Sequence, residues 1–195
     1  DKQSAETTLL FLQLIMRKLR RLGSSPNRQG GRCGMVVPDG TLFGGGVGAR
    51  IKEELLRDFN LHTVIRLPNG VFAPYTSIQT NLLFFDRSGP TRDIWFYEHS
   101  LPEGRKQYTK TQPLQFEEFA ACLKWWNKRK ASHQAWRVSA GDVAQNGYNL
   151  DIKNPNRGED FEHMPPEQLV SDIVLKEHRM LVLLEDVKRL LGERQ

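Results

Sequence analysis

Cysteine is almost missing from this 195-residue chain, which has two, Cys33 and Cys122, both in apolar surroundings. Neither sits in a Cys-x-x-Cys or Cys/His spacing, which excludes a disulfide framework and a zinc site. They read as reduced core residues of a cytoplasmic protein, and no metal site is expected. No apolar run approaches the roughly 20 residues of a membrane helix, so no membrane partner is expected. Neither Gly-x-x-x-x-Gly-Lys-Ser/Thr nor Gly-x-Gly-x-x-Gly occurs, which removes two common phosphate-cradling fingerprints. The chain begins Asp1-Lys-Gln-Ser4, with no initiator methionine and no signal sequence, so a fragment of a longer protein is expected.

Apolar material is sufficient. Hydrophobic residues make up 38% and aromatics 9%, enough for a sizeable core and too much for global disorder. The net charge of +5 permits nucleic-acid contact without requiring it.

The organising stretch runs from Gly31 to Phe85. Leu9, Leu12, Met16 and Leu19 recur at helical spacing ahead of it, with Arg17, Lys18, Arg20 and Arg21 in the last turns. A loop from Ser24 to Gly31 follows. Arg32 to Val37 then reads as a short buried strand, stopped by Pro38-Asp39-Gly40 because proline cannot donate to a ladder. After glycines 44, 45, 46 and 48, Ala49 to Phe59 reads as an amphipathic helix. Ile51, Leu55 and Phe59 share one face, with Lys52, Glu53, Glu54 and Arg57 mostly on the other. A glycine-rich turn before a helix suits phosphate, but the fingerprint is absent and a flexible loop explains it as well.

Leu61 to Leu67 and Gln79 to Asp86 are the next strands. The loop between them, Pro68 to Tyr75 and beyond, is too long for a tight hairpin. On it, Phe72 and Tyr75 read most simply as caps on the core. Ile94 to Tyr97 is a fourth strand after the Ser88-Gly-Pro90 turn, expected as an antiparallel edge. Phe116 to Lys128 is helical, with Phe119, Leu123 and Trp126 on one face. Trp136 to Ser139 is a strand leading into a short helix capped by Ser139, and Tyr148 to Asn156 is irregular. In the last helix, Pro166 to Leu191, residues Leu169, Ile173, Met180, Leu183, Val187 and Leu190 follow heptad steps. Such a face packs on its own domain or on a partner; the residues alone leave both open.

In combination these segments resemble the modification subunit of type I restriction-modification systems, the adenine-N6 DNA methyltransferases. The resemblance is carried by Phe11-Leu-Gln-Leu-Ile-Met16, Gly31-Arg32 through Val37-Pro-Asp-Gly-Thr-Leu-Phe43, and Pro68-Asn-Gly-Val-Phe72. Thr80-Asn-Leu-Leu-Phe-Phe85, Trp95-Phe-Tyr97 and Gly147-Tyr148-Asn-Leu150 extend it. It implies an α/β fold: the fifth to seventh strands of a Rossmann-like methyltransferase sheet, with an antiparallel edge and a C-terminal helical segment. Residues 1–112 would be the C-terminal half of the catalytic domain, 113–160 an α+β extension, and 161–195 a helix for subunit assembly.

The family's glycine-rich cofactor motif and its Asn-Pro-Pro-Phe catalytic motif have no counterpart here. Asn154-Pro155-Asn156-Arg157 lacks the second proline and the aromatic, and reads as a turn. No catalytic residue and no S-adenosylmethionine site is therefore expected on this chain, although the intact enzyme would use that cofactor. The resemblance assigns Phe72 to stack on a flipped adenine, with Pro38, Asp39 and Phe43 lining the neighbouring wall. It implies DNA, a specificity subunit and a restriction subunit as partners, and gives the heptad face to the specificity subunit. Two other readings stay open: a non-catalytic DNA- or subunit-binding module, and a different α/β nucleotide-binding enzyme using Gly44 to Gly48.

Overall fold

The computed structural model describes residues 6–21, 30–156 and 166–192. The chain divides into two compact units, Asp1–Arg157 and Gly158–Gln195. The loop expected from Ser24 lies mostly outside the described residues.

The first unit is a five-stranded mixed sheet in the order β1-β3-β2-β4-β5. Its strands are β1 (Arg32–Pro38), β2 (Asn60–Arg66), β3 (Thr80–Asp86), β4 (Asp93–Glu98) and β5 (Ala135–Ser139). β3 is antiparallel to both β1 and β2, β4 is parallel to β2, and β5 is antiparallel to β4. The sheet is thus α/β with antiparallel members, but the expectation for Ile94 to Tyr97 needs correcting. β4 is an inner strand parallel to β2, and the edges, β1 and β5, are each antiparallel to their neighbour. A crossover back to β2 was invisible locally because the pairing is non-local.

Helices α1 (Thr7–Lys18) and α2 (Gly46–Asp58) pack on one sheet face. Leu9, Leu12 and Met16 from α1 and Ile51, Leu55 and Leu56 from α2 meet Val37, Leu61, Val64, Leu83, Phe85 and Phe96 there. Leu61 and Val64 reach the same face although three positions apart, because a bulge between Leu61 and Thr63 inserts His62 as an extra residue. Short helix α3 (Ala120–Asn127) covers the other face, where Cys122 packs with Ile65, Leu67, Tyr97 and Ala135. On α3 the buried position is Cys122, and Leu123 is exposed, one step off the expected stripe. Helix α4 (Ala140–Gln145) begins as expected, with the Ser139 hydroxyl accepting from the Asp142 amide at 3.0 Å.

Two further expectations change. β1 is not buried: of its residues only Val37 is, and Val36 is 48% exposed, because β1 ends the sheet and lies open on one face. Lys52 is not on the outer face of α2. It is 1% exposed, one turn before Leu56 on the inner side.

The second unit contains α5 (Pro166–Gly192). Ile173, Met180 and Leu183 of the expected stripe are exposed, as are Val170, Val174, Leu181 and Leu184. The side chains of Leu169, Val187 and Leu190 lie outside the described residues.

Candidate functional site

β1, β2 and β4 point the same way, so their C-terminal ends open onto one edge of the sheet, where ligands bind in open α/β folds. β1 leads into Pro38, a 3₁₀ turn at Asp39–Leu42, and Phe43. β2 leads into the loop 67–79. Pairing of Pro38 with Thr80, and hydrogen bonds from Asp39 N to Gln79 O (2.8 Å) and Leu67 N to Thr80 O (3.1 Å), put the two loops on either side of the start of β3. Two strand spacings separate their bases, about 10 Å. Pro38, Asp39, Phe43 and Phe72 therefore share one edge.

The rings at this edge are open to solvent. Phe43 is 50% exposed, Phe72 40%, Ile78 60% and Tyr75 93%, so neither Phe72 nor Tyr75 caps the core. Their loop is nonetheless held. Ala73 N donates to Gly70 O, Tyr75 N and Thr76 N both donate to Phe72 O, and the Ile78 amide donates to the Thr76 hydroxyl. At its foot Tyr108 N donates to Asn69 O at 3.0 Å. Tyr108 is fully buried, and its hydroxyl donates to Glu118 Oε2 at 2.5 Å and lies 3.4 Å from His99 Nε2. His99 stacks on Phe119, and burial lowers its pKa, with Glu118 acting partly against that.

Two cations, Lys52 buried and Arg66 partly buried, tie the edge together. Arg66, at the end of β2, reaches Asp39 Oδ1 (3.4 Å), Asp151 Oδ1 (2.7 Å) and the carbonyl of Ile152 (3.2 Å). The Asp151 contact is a close charge pair rather than an aligned hydrogen bond, since that oxygen has no hydrogen-bond partner among the described residues. Asn81 Nδ2 donates to Asp39 Oδ1 at 3.1 Å, while Asn81 Oδ1, buried, has no partner among the described residues. The Lys52 ammonium donates to three successive carbonyls of the turn, Thr41 (3.2 Å), Leu42 (2.9 Å) and Phe43. Burial lowers its pKa to about 8, against the opposing pull of Glu6. Beside these groups lies a polar cavity of about 500 Å³ lined by Arg66, Asn69, Gln79, Glu98, His99 and Lys106 among others.

Comparison with known proteins identifies this architecture. The model of the N-6 DNA methylase family matches residues 1–164. The chain belongs to the N-6 DNA methylase family. Among its relatives, the EcoEI type I restriction enzyme methylase subunit of Escherichia coli is 48% identical over 176 residues, covering 87% of this chain and 34% of that protein. A modification subunit assigned to a type I restriction enzyme of Vibrio vulnificus superposes with a TM-score of 0.77 at 58% identity, covering 83% of this chain and 35% of that one. A subunit from a structure of type I restriction-modification complex assembly gives 0.73 at 43% identity, covering 99% and 41%. The chain thus spans between 34% and 41% of the length of these relatives.

Within this methylase fold the structure brings the sequence-predicted wall residues to one edge, and also shows what they touch. Asp39 is engaged by Arg66 and Asn81, whereas Phe43 and Phe72 present open ring surface. Sequence reasoning missed Arg66, Lys52 and Tyr108. Arg66 is a charge at the end of an apolar strand run, and Lys52 lies four residues before Leu56; each is a periodicity signal for burial. Tyr108, inside a polar stretch, carried none. Among the described residues no cluster of His, Cys, Asp and Glu could hold a metal ion, and no helix is long and apolar enough to cross a membrane.

Proposed function

We propose that this chain is part of the adenine-N6 methyltransferase subunit of a type I restriction-modification system, and that it supplies the base-holding wall of the active site. An enzyme acting on adenine N6 must take the base out of the stack, and a ring in the pocket replaces part of the lost stacking. The observation that carries the reading is Phe72: an accessible ring, on a hydrogen-bonded loop, at the strand ends where this fold binds ligands. Phe43 and Pro38 offer apolar surface across β3, and Asp39, fixed by Arg66 and Asn81, offers an oriented acceptor.

Methyltransferases of this kind take the methyl group from S-adenosylmethionine. Of the glycines from Gly44 to Gly48, Gly45 and Gly46 are open, with φ +100° and +54° and nothing within 4 Å of an added Cβ, whereas Gly44 is packed. A Cβ on Gly44 would meet Gly147 O at 3.1 Å and Asn149 Cβ at 3.2 Å, so that glycine serves packing of the chain against itself. In this reading the cofactor and the groups that polarise the amino nitrogen come from other parts of the protein. The work done here is binding, orienting and shielding the base, in the cytoplasm where the DNA is.

The test is Phe72→Ala in the full-length subunit assembled with its specificity subunit. Losing a base stack of roughly 1–3 kcal/mol lowers methylation by about 5- to 150-fold with cofactor affinity unchanged. Equal losses in both would make Phe72 a structural residue and sink the assignment.

A second reading, an assembly module, is favoured by α5. Its exposed Ile173, Met180 and Leu183, continued in sequence by Leu169, Val187 and Leu190, suit docking to the specificity subunit, with the restriction subunit joining the same complex. Deleting residues 166–195 abolishes assembly and leaves the sheet folded if this holds; an unchanged complex refutes it.

A further inference from the structure

Tyr75 is the most exposed large apolar side chain at the strand-end edge, and nothing in the fold accounts for it. Its ring is 93% exposed. Among the described residues its side chain makes no hydrogen bond, ring contact or ion pair. A flexible tip would make that unremarkable, because single exposed apolar residues are ordinary. This segment is not such a tip. The amide of Tyr75 itself donates to Phe72 O at 2.9 Å, the next amide joins the same carbonyl, and the foot of the loop is clamped between Asn69, Gly70 and Tyr108. A ring on a held backbone loses little further entropy when it is covered, which is the condition for a pre-organised contact.

Its place relative to Phe72 decides what covers it. Phe72 is 40% exposed and Tyr75 93%, on the same turn, so Phe72 is a sheltered wall and Tyr75 stands proud of it. We propose, resting on the base-binding reading of Phe72, that Tyr75 is a second base-contacting ring. It stacks on the duplex at the gap left when the target adenine is extruded. Extrusion costs a few kcal/mol of unstacking, and a ring entering the gap restores part of it. Lys106, lining the cavity next to Asn69, gives the same edge a cation for the backbone phosphates. Among the described residues the hydroxyl of Tyr75 has no partner, so the ring face alone does this work.

The experiment uses the full-length methylase assembled with its specificity subunit, and a duplex carrying 2-aminopurine at the target adenine, whose fluorescence rises on extrusion. Tyr75→Ala lowers the extruded fraction and the methylation rate by about 5- to 150-fold, the range expected for one lost stack. Tyr75→Phe restores both, and cofactor affinity and melting temperature stay at the wild-type values. If Tyr75→Ala matches wild type while Phe72→Ala loses extrusion, the Tyr75 proposal falls and the reading of Phe72 stands. If neither substitution changes extrusion, the base-binding reading itself is wrong. If Tyr75→Ala instead releases the specificity subunit, the ring is a protein contact and the proposal is overturned.

Discussion

Gly70→Ala tests whether the loop carrying the exposed rings is held from below by Tyr108. Gly70 has φ +81°, and a Cβ there would lie 2.0 Å from the carbonyl oxygen of Tyr108, 2.9 Å from its carbonyl carbon and 3.0 Å from its amide nitrogen. Real Cβ contacts essentially never fall below 3.0 Å, so the two backbones must part by about 1 Å (3.0 − 2.0). Tyr108 cannot give way freely. It is fully buried, its amide bonds Asn69 O and its hydroxyl bonds Glu118. The left-handed conformation costs alanine roughly 1–2 kcal/mol. Losing the Tyr108–Asn69 bond adds roughly 0.5–1.5 kcal/mol. Together these give a destabilisation of about 1.5–3.5 kcal/mol.

The assay is equilibrium unfolding in urea, where the midpoint falls at an unchanged slope. Gly104→Ala is the control: its φ is +78° but no atom lies within 4 Å of the added Cβ, so it carries the conformational cost alone. The excess of Gly70→Ala over Gly104→Ala isolates the clash. Equal effects, or a Gly70→Ala protein within about 0.5 kcal/mol of wild type, would refute the clamp.

Arg66→Met leaves the Asp39 and Asp151 carboxylates without the cation that both contact. A loss of roughly 2–4 kcal/mol in urea unfolding is expected, with Arg66→Lys recovering only part because one ammonium cannot span both partners. Lys52 has a native pKa of about 8 against an ordinary 10.5, so between those values the unfolded state binds the extra proton. Stability of wild type relative to Lys52→Met therefore rises as pH increases from about 8 towards 10.5; a flat or falling difference contradicts the burial. Burial lowers the pKa of both His62 and His99, with the Arg129 cation pushing His62 further down and Asp86 opposing. Each imidazole then titrates below its ordinary 6.5 in an NMR titration, and each erodes stability as pH falls through that range. Midpoints at or above 6.5 would contradict the packing.

Strand positions were legible because each is an apolar run stopped by a residue that cannot continue a ladder, as Pro38 stops β1. The cap of α4 was legible because the Ser139 hydroxyl acts within its own turn. Pairing was not. Nothing near Ile94 to Tyr97 says that the chain crosses back to lie parallel to β2, and no local pattern announces the extra His62 that keeps Leu61 and Val64 on one face. Exposure also failed at the sheet's end: Arg32 to Val37 has the composition of an inner strand, and only the sheet order leaves Val36 open.

The candidate site divides along the same line. Phe72, Phe43 and Pro38 could be singled out because motif and turn chemistry are local. What keeps them in place is not local. Arg66 joins segments 27 and 86 residues away in sequence, through Asp39 and Ile152. Lys52 binds a turn on the far side of the glycine cluster, and Tyr108 wedges under Gly70 from a polar stretch that looked like plain surface. Each support is a polar or charged group buried or partly buried to hold a loop, which lowers stability unless every partner is present. A fold that needed only a core would gain by replacing them with apolar residues. Their presence beneath one edge, with solvent-facing rings above, is what a site built to receive a planar apolar ligand requires.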